Sequence, residues 1–187
     1  MTARKRRTAD ESRALILKTA ARRLREYGLE GLNITGVAEE AGISHATLIH
    51  HFGSSGGMRN ALTEKMTLDL IQDLTVAMDA NVPPSELVAN VFDALSAGGH
   101  AKLLAWRAVE GAKDGAGEEI SEYFQRLLDA SQASLGVSRV EDLRNMVMLV
   151  ATSAIGVGLA GDTLARVIGL SEAEFKTFPK WLNEHIT

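Results

Sequence analysis

Five side chains able to hydrogen-bond or to hold a metal fall within eight residues: Ser44, His45, Thr47, His50 and His51. Metal binding is the first chemistry they suggest. The three imidazoles are not at the i, i+4 spacing that aims two rings at one ion, and adjacent residues on a helix point apart. His100 and His185 are distant in sequence and cysteine is absent, so no metal site and no cofactor is expected. Catalysis lacks a constellation as well, with no nucleophile elbow, phosphate-binding loop or zinc-protease pair. The run Gly156-Val157-Gly158-Leu159-Ala160-Gly161 resembles a dinucleotide fingerprint only loosely, because it lies in or after an apolar helical stretch rather than after a strand. The chain is therefore read as a non-enzyme. The remaining chemistry is hydrogen bonding from hydroxyls and imidazoles to phosphate oxygens and base edges.

The elements that would present these groups are legible between Asn33 and Phe52. Asn33 suits a helix N-cap, and Ile34, Val37, Ala38 and Ala41 follow at helical spacing. Gly42 stands where a helix ends in a left-handed residue, Ile43 plugs the turn, and Ser44 can cap a second helix. That second helix is expected to turn Ala46, Leu48 and Ile49 inward and His45, Thr47 and His50 outward. The pattern is a helix-turn-helix, whose second helix lies in a DNA major groove. A longer helix before it, Asp10 to Tyr27, with Asp10 or Ser12 near its start, carries Ile16, Leu17, Ala20, Ala21, Leu24 and Tyr27 on one stripe. Its role is to bury the back of the reader.

Charge divides the same way. Through Asn60 the sequence has ten basic and six acidic residues, whereas the whole chain is at −4. A basic head on an acidic body suits a head that meets phosphate. Residues 1–9 include Arg4-Lys5-Arg6-Arg7, an arm that could follow phosphates or a minor groove, or serve only as a solubilising tail. The absence of cysteine fits a reducing cytoplasm, and no apolar signal-peptide core follows the basic start. The longest uncharged run, Asn145 to Gly161, is short of the roughly 20 residues of a membrane span. It is read as a buried helix, with no membrane partner.

The stretch from about residue 10 to 62 resembles the N-terminal domain of the tetracycline-repressor (TetR) family of bacterial regulators. The matching residues are Gly31, Asn33-Ile34, Val37-Ala38, Ala41-Gly42-Ile43-Ser44, Thr47-Leu48 and His51-Phe52, with Gly53-Ser54 after them. The resemblance implies an all-α fold: a three-helix head at 10–57 and a larger helical ligand-binding and dimerisation domain at 58–187. It implies DNA contact through Asn33, Thr35, Ser44, His45, Thr47, His50, His51 and Ser55. The sequence departs from the family where Thr35 replaces a frequent Arg, Ser55 a Lys, and Gly56-Gly57 two Glu. Glycines in a first turn cost about 1 kcal/mol each relative to Ala, so the helix after the head is expected to start late or fray.

Beyond Met58 the apolar spacing continues to be helical. Pro83-Pro84 end one helix, Ser85 is expected to cap the next, and Gly98-Gly99 break the chain again. A Gly111 to Gly117 loop and a Gly136 to Ser138 turn precede a long helix from about Val140 to Leu159, and a short segment runs from Ser171 to the end. By resemblance the last two long helices pair across a two-fold axis, though burial within one subunit suits them too. The middle helices would house an effector, with Phe92, Leu95, His100, Leu103, Trp106, Tyr123, Phe124 and Met146 as candidates by composition. An apolar lining favours an apolar or amphipathic small molecule. The expected protein is a cytoplasmic, homodimeric transcriptional repressor that a small-molecule effector releases from its operator, a pseudo-palindrome of double-stranded DNA with half-sites about 34–36 Å apart. The alternative is a small-molecule-binding or scaffold protein with a degenerate head.

Overall fold

The computed structural model describes residues 8–110, 118–135 and 140–186. The Arg4–Arg7 arm, the Gly111–Gly117 loop and the Gly136–Ser138 turn lie outside the described residues. Every described element is a helix, and no strand occurs among the described residues. Two compact units divide the chain, Met1–Thr63 and Glu64–Thr187.

In the first unit, α1 (Ala9–Tyr27) starts one residue before the expected Asp10 because Thr8, not Asp10 or Ser12, is its cap. The Thr8 hydroxyl accepts from the Glu11 N–H at 3.1 Å while the Glu11 carboxylate accepts from the Thr8 N–H at 2.8 Å, a reciprocal capping box. Gly28, at φ 65°, ends the helix, and a 3-10 turn (Gly28–Leu32) leads to α2 (Ile34–Ala41) and α3 (His45–Phe52). Ile16, Ala20 and Leu24 of α1 and Leu32, Val37 and Leu48 of the elements packed on it are closed to solvent. Gly31 permits a close approach, since a Cβ there would stand 2.6 Å from the Arg23 carbonyl oxygen.

The next helix, α4 (Ser55–Asp79), does not start late. The Ser54 hydroxyl accepts the Gly57 N–H at 3.0 Å, and the Ser54 carbonyl accepts the Met58 N–H at 3.0 Å. Ser54 thus caps a helix whose first turn contains both glycines. They differ in surroundings. A Cβ on Gly56 would meet only the Ser54 hydroxyl, at 3.6 Å, whereas one on Gly57 would collide with the Phe52 carbonyl oxygen. Gly57 is therefore what lets α4 begin so close over the end of α3.

The second unit holds the rest of α4 with α5 (Pro84–Ala97), α6 (His100–Val109), α7 (Glu118–Leu135), α8 (Val140–Ile168), α9 (Glu172–Lys176) and α10 (Phe178–Ile186). Pro84 occupies the first position of α5 and no side chain caps it. Proline displaces the expected Ser85 cap because its fixed φ and missing N–H suit that first position. Helix α8 packs against α5, α6 and α7, and α10 lies along α5. Phe92, Leu95, Val150, Ala154 and Leu182 form one buried cluster, and Ile71, Met78 and Leu127 another.

Helix α8 runs nine residues past the expected end at Leu159, to Ile168. Its glycines permit close approaches instead of breaking it: a Cβ on Gly158 would lie 2.8 Å from the Ala101 Cβ, and one on Gly161 2.6 Å from the Phe175 ring. The expectation of a buried helix is corrected. By length and composition α8 could cross a membrane, and only 11% of its most apolar window is buried. Leu143, Val150, Ala154 and Ala165 are covered. Met148, Leu149, Leu159, Leu164, Val167 and Ile168 are exposed.

The two glycines of α4 make opposite predictions. Gly56→Ala should stabilise the protein by about 0.5–1 kcal/mol through helix propensity. Gly57→Ala should destabilise it by more than that, since the Phe52 carbonyl or the helix must move. Urea unfolding of the two variants against the parent measures both signs.

Candidate functional site

The turn between α2 and α3 is fixed by local chemistry. The Asn33 carboxamide oxygen accepts the Gly36 N–H at 2.8 Å, and its NH2 donates to the Glu30 carbonyl at 3.0 Å. At the far end of α2, Gly42 adopts φ 65° and ψ 39°. The Ile43 N–H reaches the Ala38 carbonyl at 3.0 Å and the Gly42 N–H the Glu39 carbonyl at 3.1 Å, the paired bonds of a Schellman ending. Ser44 then caps α3, accepting the Thr47 N–H at 3.0 Å, and the two hydroxyls lie 2.8 Å apart.

Helix α3 has one anchored side and one open side. Leu48 and Phe52, four residues apart, are buried. His45, Ala46 and His50 are exposed, and Thr47 and His51 half-buried. Ala46 corrects the inward placement expected from its apolar side chain. It stands two residues, about 200° of helix, from Leu48 and shares the face of His50. An exposed methyl on this face can meet the thymine methyl, a contact absent from the hydroxyl and imidazole inventory. His51 lies edge-on to His50 at 5.8 Å and tilted to Phe52 at 6.2 Å. Among the described residues no three His, Asp or Glu side chains are placed to hold a metal ion.

Arginines stiffen this assembly from behind. The Arg13 guanidinium donates to the His51 carbonyl at 3.2 Å and lies over the Phe52 ring at 4.6 Å, which satisfies a C-terminal carbonyl of α3. Arg23 donates to the Gly31 carbonyl at 2.8 Å and pairs with Glu40 at 3.1 Å, and Arg22 pairs with the same carboxylate. Arg59 donates to the Leu29 carbonyl at 3.4 Å. Four of the six described cations of the head, Arg13, Arg22, Arg23 and Arg59, thus make contacts inside it, while Lys18 and Arg25 stand exposed on α1. None of this clamping is visible in sequence spacing alone. The Ser55 hydroxyl donates to the Leu32 carbonyl at 3.3 Å, and Thr35 is exposed at the start of α2.

The second unit has a cavity of about 520 Å³ lined by α4, α5, α6, α7, α8 and α10. Of the candidates from composition, Leu95, His100, Phe124 and Met146 are on its wall. Phe92 and Leu103 are buried elsewhere in the core, and Trp106 and Tyr123 are half-buried away from the wall. Sequence reading missed the α4 contribution, Thr67, Leu70, Ile71, Leu74 and Met78, although their three- and four-residue spacing marks one helix side. His100, 2% exposed, has its Nε2 3.1 Å from the Thr67 hydroxyl, and burial lowers its pKa to about 4. The ring is neutral at physiological pH.

That burial has a sign. The folded pKa lies below the unfolded 6.5, so stability present above pH 6.5 is lost as pH falls toward 4. The contribution is at most about 3 kcal/mol. His100→Gln should therefore flatten the loss of stability between pH 6.5 and 4, as measured by urea midpoints across that window.

Comparisons with known proteins bear on the head first. Residues 16–62 match the family described as bacterial regulatory proteins, tetR family. The HTH-type transcriptional regulatory protein RaaS of Mycobacterium tuberculosis is 28% identical over 116 residues, 51% of this chain and 55% of that protein. The chain thus spans little more than half the length of that relative. A crystal structure from Shewanella sp. PV-4, assigned to the tetR family of transcription regulators, superposes over 95% of this chain and 96% of that one at 20% identity. Its TM-score of 0.40 is too low for residue-level comparison.

Proposed function

We propose that this chain, which belongs through residues 16–62 to the tetR family of bacterial regulatory proteins, is a homodimeric, cytoplasmic repressor that a small molecule releases from its operator. The observation that carries the reading is the open side of α3: His45, Ala46 and His50 exposed beside the Ser44–Thr47 cap, on a helix anchored by Leu48 and Phe52. Ser44, His45, Ala46 and Thr47 would meet base edges, while His50, His51, Thr35, Asn33 and Ser55 border the phosphates. Without an arginine on this helix, guanine recognition by bidentate contacts is sparse. Phosphate affinity leans on the N-terminal arm and on the N–H groups opening α2 and α3.

The exposed side of α8 supports the dimer. Met148, 65% exposed, and Val167, 77% exposed, are among the apolar side chains of α8 that one chain leaves in water. A second copy would cover them and hold two heads for one pseudo-palindrome. The cavity is the place for the effector, and α4, which lines it and also belongs to the head, is the element it would move. The rival reading, a binding or scaffold protein with a degenerate head, draws on the non-basic Thr35 and Ser55 and on the internal engagement of Arg13, Arg22, Arg23 and Arg59.

Selection of bound fragments from sheared genomic DNA at near-physiological salt tests the two. A dimeric reader should enrich a two-fold-symmetric site, and His45→Ala should weaken that site about tenfold without shifting the unfolding midpoint. A flat profile with weak, sequence-blind binding would give the rival the lead. For the dimer, Leu159→Asp combined with Val167→Asp should yield a folded monomer by sedimentation, with operator affinity lost. A variant that stays dimeric removes α8 from the interface.

A further inference from the structure

Among the described residues that line the cavity of the second unit there is no Asp, Glu, Lys or Arg. The polar ones are Thr67, His100, Ser131 and Asn183. The Ser131 hydroxyl is already committed, donating to the Leu127 carbonyl at 2.7 Å. His100 and Thr67, 3.1 Å apart on α6 and α4, form a neutral hydrogen-bonding pair on a mostly apolar wall that includes Leu70, Val88, Phe124, Val150 and Ile155. An ion brought into such a space loses its hydration and finds no counter-charge, which costs far more than burying a neutral polar group with a partner. A carboxylate could find a cation only by protonating His100, a ring that burial keeps neutral far above pH 4.

We propose that this cavity takes an uncharged, lipophilic molecule bearing a neutral hydrogen-bonding group, of the alcohol, ketone or amide class, docked on the His100–Thr67 pair. The inference rests on the effector role assigned to the cavity above and names the chemistry that role requires. The volume of about 520 Å³ is within the range of small-molecule sites. The apolar body supplies most of the affinity by burial. The His100–Thr67 pair would favour a ligand whose polar group can join its hydrogen bond over one that cannot.

The test uses the full chain and three probes of equal chain length, 1-decanol, decanoate and decylammonium, each below its micelle concentration at pH 7.5. Titration calorimetry should show 1-decanol binding at least about tenfold tighter than either ion. His100→Leu and Thr67→Val should each weaken 1-decanol by roughly five- to tenfold, while His100→Gln, which keeps a neutral hydrogen-bonding group, retains its affinity. Two variants on different helices guard against one failing to fold. Equal or tighter binding of either ion, or no binding by any probe, overturns the proposal. Release of operator DNA is followed in parallel: 1-decanol that binds without releasing DNA upholds the ligand class and removes the effector role instead.

Discussion

An eight-residue helix does not hold its shape alone in water, where helices shorter than about 12–15 residues are marginal. The recognition helix α3 has that length, so the surface it offers depends on burial of Leu48 and Phe52. Leu48 is closed to solvent, as are Ile16, Leu24 and Val37, and truncating such a side chain to alanine typically costs about 2–5 kcal/mol. Ser44 at one end and Arg13 at the other satisfy terminal backbone groups that water would otherwise take. The exposed His45, Ala46 and His50 inherit their positions from these contacts. This also explains the use of the head's arginines. Arg23, bridging the Gly31 carbonyl and Glu40, joins α1 to the 3-10 turn and to α2. Half-buried contacts of this kind act more through geometry than through charge.

The second unit obeys a different constraint, set by α8. Ala154 and Gly158 let α5 and α6 approach its axis on one side, with Gly158 against Ala101 and the Leu95 carbonyl. Close packing on that side leaves Leu149, Leu159, Leu164 and Val167 without cover. Trp181, on α10, is half-exposed and stacked on His185 at 4.4 Å and beside Phe178 at 6.0 Å. These exposed apolar side chains are the ones that a second copy would cover in the proposed dimer.

The head was legible because its signals are local. Asn33, Gly42 and Ser44 cap or end helices through bonds spanning three to five residues, and the stripes of α1 repeat within one helix. At Ala46 phase outweighs residue type: with Leu48 and Phe52 fixing the buried direction, an alanine two residues from Leu48 faces out. Helix α8 was cut short for a similar reason. Glycine lowers helix propensity by about 1 kcal/mol, but Gly158 and Gly161 recover this through packing that only the tertiary structure contains. The arginine clamps and the cavity wall were beyond reach of pattern, since Arg13 meets His51 across 38 residues and Thr67 meets His100 across 33.

Gly57 gives the departures at the start of α4 a physical meaning. In the proposed regulator a signal from the cavity must travel along α4, whose residues Thr67, Leu70, Ile71, Leu74 and Met78 face the ligand space on successive turns. The same helix places Met58 and Leu62 in buried positions near its start, so its first turns cannot slide without disturbing their packing. At Gly57 the backbone of α4 comes so near the Phe52 carbonyl that no side chain fits between them. Phe52 is the last residue of the recognition helix. A small rotation of α4 is therefore felt directly by the end of α3, with no flexible side chain to absorb it. Coupling of about 1–3 kcal/mol is the usual size of an allosteric effect, and a steric contact between two backbones is a sufficient carrier for it. At Gly57 the two helices meet backbone to backbone.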